Sequence, residues 1–140
     1  MPSNAGPPPP PDTQLVLFVC PHGAGKSRMA AAYFNAGTGP GWEATSAGIT
    51  PQQTVSAHAA RLLAGTPAEH ALDTELPRHL DAVPAPNVVV AIDCPALTAP
   101  SAVTWTLRNQ EFDTAMRDEI RESVEHLVTA LGAGRPRSTP

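Results

Sequence analysis

One stretch of this chain gathers residue types that could do chemistry together: FVCPHGAGKS, residues 18–27. Cys20 supplies a thiol, a strong nucleophile once ionised. Gly23 and Gly25 allow successive backbone amides to turn inward as a nest around a phosphate-sized anion. Pro21, His22 and Ala24 complete that loop, and Lys26 adds a mobile positive charge. Ser27 is expected to cap the helix that follows, whose unpaired N–H groups and dipole favour negative charge. The predicted site is therefore a catalytic Cys20 at the base of an anion-binding loop running from Pro21 to Ser27. Lys26 is the one lysine in a chain with nine basic residues, which marks the loop further. His22 is a candidate proton donor or base. The competing readings are bland: a buried structural thiol for Cys20, a solvated lysine for Lys26, an exposed loop histidine for His22.

Placing a thiol there requires a strand before it and a helix after it. Leu15 to Val19 is a continuous apolar run that suits a strand buried on both faces of a parallel sheet. After the loop, Arg28 to Ala36 reads as an Ala-rich helix with Met29, Tyr33 and Phe34 on related faces, stopped by Gly37. Trp42 to Ser46 reads as a second strand ending at Ala47-Gly48. A helix is expected from about Thr54 to Leu63, on the stripe of Val55, Ala59, Leu62 and Leu63. A shorter helix is expected to start over Leu76 to Leu80. Val88 to Ile92 is the next buried-strand run, followed by Asp93-Cys94-Pro95. Met116, Ile120, Val124, Leu127, Val128 and Leu131 recur at helical spacing from Asp113 to Leu131, ended by Gly132. Strands alternating with helices predict a three-layer α/β fold with a doubly wound, mostly parallel sheet, in which ligands bind beyond the carboxyl ends of the strands. Cys20 lies at such an end.

The 140 residues, 41% of them apolar, are enough for one core and not for two. Residues 1–13, rich in proline and glycine, read as a disordered tail, residues 14–132 as the folded domain and residues 133–140 as a second flexible tail. A net charge of −4 without a run of Lys or Arg argues against nucleic acid or an anionic membrane as partner. No segment nears the roughly 20 apolar residues of a spanning helix, and the N-terminus lacks the order of a signal peptide, so a cytoplasmic location is expected. The two cysteines are too few for a disulfide framework, and neither they nor His58, His70, His79 and His126 have metal-ligand spacing. No metal and no cofactor are expected. The partner is a small anionic substrate or a phosphorylated molecule, and the oligomeric state is left open.

Cys20 followed by five residues and then Lys26-Ser27 resembles the low-molecular-weight protein tyrosine phosphatases and the related arsenate reductases, which carry a Cys, five residues, an Arg and a Ser or Thr after their first strand. The RMAAAYF helix, Ser46-Ala47-Gly48, the strand VVVAID and Arg117-Asp118-Glu119-Ile120 extend the likeness over roughly residues 15–131. The resemblance implies a cysteine nucleophile acting on a phosphate ester or oxyanion, with Ser46, Asp93 and Trp105 as supporting residues. It also implies that Cys94, beyond the strand, is a candidate redox partner for Cys20, beside the simpler reading of a buried thiol.

Three departures bear on activity. Lys26 stands where the family has its phosphate-clamping Arg and cannot offer the planar fork. Gly23 stands where the family has a loop Asn. In WTLRNQ, Asn109 and Gln110 occupy the positions of the general-acid Asp and its Pro, and loss of a positioned acid costs about 10²- to 10⁴-fold. Asp93, Glu111, Asp113 and His22 are the alternative proton donors. Two other functions stay open: a repurposed loop that binds a carboxylate- or phosphate-bearing metabolite, and a P-loop nucleotide enzyme. The latter rests on Gly25-Lys26-Ser27 and the VVVAID strand, although Cys20 occupies the leading Gly of that motif.

Overall fold

A computed structural model of the chain describes residues 13–54, 57–94 and 102–134. The predicted tail at residues 1–12, the helix positions 55 and 56, Pro95 and the final residues 135–140 lie outside the described residues.

Four strands form one sheet: β1 (Gln14–Cys20), β2 (Trp42–Gly48), β3 (Val88–Ile92) and β4 (Ala102–Trp105). Their order is β2-β1-β3-β4 and every pairing is parallel. Central β1 is buried from Val16 onward, as its unbroken apolar run requires. The chain leaves β1 for β2 on one side and returns to β3 on the other, so a crevice opens beyond the carboxyl ends of β1 and β3. This is the switch point at which doubly wound sheets bind ligands. Cys20 ends β1, and Asp93-Cys94 follows β3.

The side chains of β1 alternate between two cores. Val16, Phe18 and Cys20 share one face with Val90 and Ile92 under the helices α1 (Lys26–Gly37), α2 (Ala57–Leu63) and α3 (Thr114–Leu131). Ala30, Ala31 and Ala32 are all buried there, and their small size lets α1 sit close to the sheet. Phe18 anchors this core, with ring centroids 6.1 Å from Phe34 and 5.8 Å from Trp105. On the opposite face Leu17, Val19, Ala47 and Val89 are covered by Ile49, Leu80, Val83 and Cys94, around a short 3-10 turn at Leu80–Ala82. The last helix follows its expected limits: Asp113 caps it by accepting from Met116 N at 3.1 Å, and Gly132 closes it at φ 66°.

Two expectations, at Ser27 and over Leu76 to Leu80, are corrected, and two further features come into view. Ser27 does not cap α1; the helix begins at Lys26 with no side-chain cap, and Ser27 is buried inside its first turn. Leu76 to Leu80 is not helical, because Pro77 disfavours helical geometry at Leu76 and removes a donor; only Leu80–Ala82 turns, and His79 bridges to Gly48. The WTLRNQ stretch begins inside β4, a strand the sequence pattern did not reveal. The packed domain continues past residue 132. Ala133 is buried, its carbonyl accepts from Gly39 N and Thr38 Oγ1, and Gly134 bridges to Thr38. No described helix is long and apolar enough to cross a membrane.

Candidate active site

The conformation of the Cys20 loop is fixed by where its carbonyls go. Cys20 O accepts from Ile49 N, Pro21 O from Thr50 N, and His22 O from Gln52 N, so the segment after β2 forms an outer rail. Gly23 O accepts from Arg28 Nε at 3.2 Å, and Gly25 O from Met29 N at 2.9 Å. In a trans peptide the next N–H points opposite to the carbonyl. The amides of His22, Gly23, Ala24 and Lys26 therefore turn away from these anchors. None of these four amides donates within the described residues. Amides without a partner among the described residues thus cluster at a helix N-terminus, the kind of donor set from which anion nests are built. Pro21 contributes no N–H to it.

Close backbone approach makes this possible. Gly23 sits at φ 67°, and a Cβ there would fall 2.6 Å from Gly48 N; a Cβ on Gly48 would fall 2.6 Å from Gly23 N. Both residues must be glycine for the loop to lie against the end of β2. Beneath them Arg28, 1% exposed, joins Gly23 O to Asp73 O through Nη1 at 2.7 Å. Arg78 extends the brace, pairing with Asp73 Oδ2 at 2.7 Å and donating to Ser46 O at 2.9 Å. Burial raises the Asp73 carboxyl, but the Glu75 amide, Arg78 and Arg28 outweigh it and hold the group below the usual carboxylate range.

At the floor of the loop Cys20 Sγ lies 3.1 Å from Ser27 Oγ, both buried, so the serine hydroxyl that does not cap the helix is placed to donate to the sulfur. At the rim Lys26 Nζ pairs with Asp93 Oδ2 at 2.7 Å and reaches Gln110 Oε1 at 3.4 Å. Asp93 adopts φ 54° and also accepts from Leu107 N through Oδ1 and from Gln110 Nε2 through Oδ2. Burial raises its carboxyl, and the hydrogen bonds from Lys26, Leu107 and Gln110 more than reverse this, so it is held below the usual range.

A cavity of about 410 Å³ opens above the thiol, lined by Cys20, Pro21, His22, Ala24, Gly25, Lys26, Gln52, His58 and Phe112. Of the residues singled out in the sequence, the loop members from Cys20 to Lys26 come together here, with Gly23 and Ser27 buried behind them. Others go elsewhere. Asn109 N and Nδ2 both donate to Glu119 Oε1, which turns the amide toward α3. Asp113 is used as the cap of α3. Trp105 packs on Phe18 and does not line the cavity. Ser46 is buried, and its Oγ has no hydrogen-bond partner among the described residues. Cys94 Sγ donates to Val19 O at 3.6 Å, one residue before Cys20. Burial pushes the Cys94 thiol up, and the neighbouring Cys20 adds to the effect.

Arg28, Gln52, Gln110, Phe112 and the role of His58 in the wall were not foreseen. The Phe112 ring covers Gly25, where a Cβ would fall 2.7 Å from Cε1, and stacks on His58 with centroids 4.5 Å apart. Arg61 fastens this wall through His58 Nδ1 at 3.0 Å and Phe112 O at 3.1 Å. Long-range packing brings these residues in, and no local spacing announces it. The one available signal was Arg28 itself, a charged residue in a helix face otherwise built of small and apolar residues.

No protein-family model matches the chain. Solved structures do. The chain is 33% identical to an arsenate reductase from Archaeoglobus fulgidus, covering 81% of this chain and 98% of that one, with a TM-score of 0.67. It is 23% identical to the thioredoxin-dependent arsenate reductase of Corynebacterium glutamicum, over 87% of this chain and 63% of that one, with a TM-score of 0.69. It is 19% identical to a low-molecular-weight protein tyrosine phosphatase from T. tengcongensis, over 84% and 99% of the two chains, with a TM-score of 0.65.

Proposed function

This chain belongs to the family of low-molecular-weight protein tyrosine phosphatases and arsenate reductases, and from that premise we propose that it is a cysteine-dependent reductase of an arsenate-like oxyanion rather than an efficient ester phosphatase. The observation that carries this reading is the placement of two thiols at the switch point, Cys20 at the floor of the loop that ends β1 and Cys94 just beyond β3 against the opposite face of the sheet, while the Asp93 carboxylate beside the loop is occupied by Lys26.

An ester needs a proton for its departing alkoxide, and a positioned acid is what Asn109, turned toward Glu119, does not offer. Arsenate carries ionisable protons of its own, so one of its oxygens can depart as water without a side-chain acid. In the proposed reaction the Cys20 thiolate forms a bond to the arsenic of a protonated arsenate and water leaves with that arsenate's proton, while the loop amides and Lys26 hold the remaining oxygens. The Cys94 thiolate then attacks the Cys20 sulfur. The sulfur–arsenic bond breaks with its electron pair going to arsenic, giving arsenite and a Cys20–Cys94 disulfide: As(V) is reduced and two thiols are oxidised. An external dithiol restores the pair. Burial pushes the Cys94 thiol up, so its proton must be lost as it attacks.

The test is arsenate reduction with an external dithiol, run beside aryl phosphate hydrolysis for wild type, Cys20→Ser and Cys94→Ser. The reading expects arsenite from wild type alone, with weak ester turnover that survives Cys94→Ser. Strong ester hydrolysis without arsenite production would overturn it. A second reading, a loop repurposed to bind a small carboxylate or phosphate without turnover, draws on the neutralisation of Lys26 by Asp93. It predicts binding without any product, weakened by Lys26→Ala.

A further inference from the structure

Arg28 is the largest fully buried side chain among the described residues, and its placement is costly. Its Nη2 has no hydrogen-bond partner among the described residues, and its carboxylate neighbour Asp73 Oδ1 stands 3.9 Å away while Asp73 Oδ2 pairs more closely with Arg78. Burying a guanidinium with an unmet donor gives less stability than an apolar side chain of similar volume would give in a helix packed on a sheet. Stability therefore does not account for an arginine at this point of α1.

The contacts it makes do. Nε holds Gly23 O and Nη1 holds Asp73 O, so one rigid planar group spans the underside of the loop and the segment that carries Arg78. Of the loop carbonyls with an acceptor role, those of Cys20, Pro21 and His22 are held by the rail after β2, and that of Gly25 by its own helix. Gly23 O alone depends on a side chain. Released, that peptide could rotate and swing the Ala24 N–H out of the nest, and Gly23 is the residue with the freedom to do so. The charge matters as well. Lys26 is paired at the rim with Asp93, whereas the Arg28 charge is fixed beneath the loop, within electrostatic reach of Cys20.

We infer that Arg28 is a positioning residue for the anion loop: it pins the Gly23 carbonyl outward so that the Ala24 amide faces the bound anion, and it supplies the loop with a fixed positive charge. The inference rests on the reading of the loop as an anion site. Arg28 touches no substrate and acts through the loop.

The experiment uses the full reduced chain with inorganic phosphate as the probe. Calorimetry gives the phosphate affinity, and iodoacetamide modification followed by mass spectrometry gives the alkylation rate of Cys20 at neutral pH. Arg28→Met is expected to weaken phosphate binding and slow Cys20 alkylation, each by about 10-fold or more. Arg28→Lys, which keeps the charge and loses the planar fork, is expected to recover the alkylation rate and not the phosphate affinity. A folded Arg28→Met protein with wild-type affinity and wild-type alkylation would overturn the inference. If Arg28→Met does not fold, wild type decides: the Arg28 Nε–H resonance should shift along the phosphate titration, and a resonance unmoved at saturation counts against the proposal. Failure of wild type to bind phosphate at all would sink the anion-loop reading instead, and Arg28 would then be judged by the alkylation rates.

Discussion

Lys26 Nζ and Asp93 Oδ2 lie 2.7 Å apart, both side chains nearly buried, so the mobile cation of the loop is already engaged by a carboxylate from the end of β3. An incoming anion must share Lys26 with Asp93 and sit near a like charge. Replacing Asp93 with Asn removes that competition while leaving an oxygen for Leu107 N. Asp93→Asn is expected to bind inorganic phosphate several-fold more tightly and to lose about 1–3 kcal/mol of stability in urea unfolding. Weaker phosphate binding by the folded variant would show that Asp93 helps to present Lys26 and does not compete for it.

Restoring the acid of the family at position 109 is expected to fail. Asn109 Nδ2 donates to Glu119 Oε1 at 2.8 Å, and Glu119 also accepts from the amides of Arg108 and Asn109. An Asp there would set two carboxylates against each other and aim its proton at α3. Asn109→Asp should lower the melting temperature and leave aryl phosphate hydrolysis unchanged, alone or with Lys26→Arg. A gain of ten-fold or more in hydrolysis would mean that this loop moves into the cleft during turnover.

The contact between Gly23 and Gly48 leaves no space for a methyl group on either side. Gly23→Ala adds the strain of a positive φ to a backbone clash, and should cost about 1–3 kcal/mol together with most of the phosphate affinity. Gly41, also at positive φ but with open space around it, is the control: Gly41→Ala should lose stability and keep the affinity. Equal affinities for the two variants would separate the anion site from this contact.

How far the sequence could be read depended on whether the signal was local. The runs Leu15 to Val19 and Val88 to Ile92 have the length and composition of buried strands, and the loop between strand and helix carries its own chemistry, so both strands and the position of Cys20 were legible. Ser27 was misread because a serine at a helix start looks like a cap whether its hydroxyl turns to the helix amides or, as here, to a sulfur seven residues back. β4 escaped notice because Ala102 to Trp105 is too short to show a period. The brace ties Arg28 to Asp73, 45 positions further on, and Asp73 in turn to Arg78, and no spacing rule reaches the first of these contacts.

Acid should loosen the molecule in a defined direction. Asp93, Asp73 and Glu119 are all held below their usual ranges: burial raises each, and hydrogen bonds from backbone amides and side chains, together with the charge of nearby Lys26, Arg78 and Arg108, more than compensate. A carboxyl whose folded value is depressed contributes stability above its unfolded value and loses it as pH falls through the folded one. Urea unfolding should therefore give steady stability from neutral pH to about pH 4 and a progressive loss below it. Asp73→Asn should flatten that loss, and an unchanged slope would assign the acid sensitivity to other groups.

A single turnover without any external reductant separates reduction by the protein's own thiols from every other chemistry of this loop. Fully reduced protein is mixed with arsenate, arsenite is quantified against protein, and the cysteines are located by mass spectrometry. One arsenite per chain at most is expected, formed together with a Cys20–Cys94 disulfide, and none from Cys20→Ser. Arsenate left unreduced while both thiols remain free would contradict it.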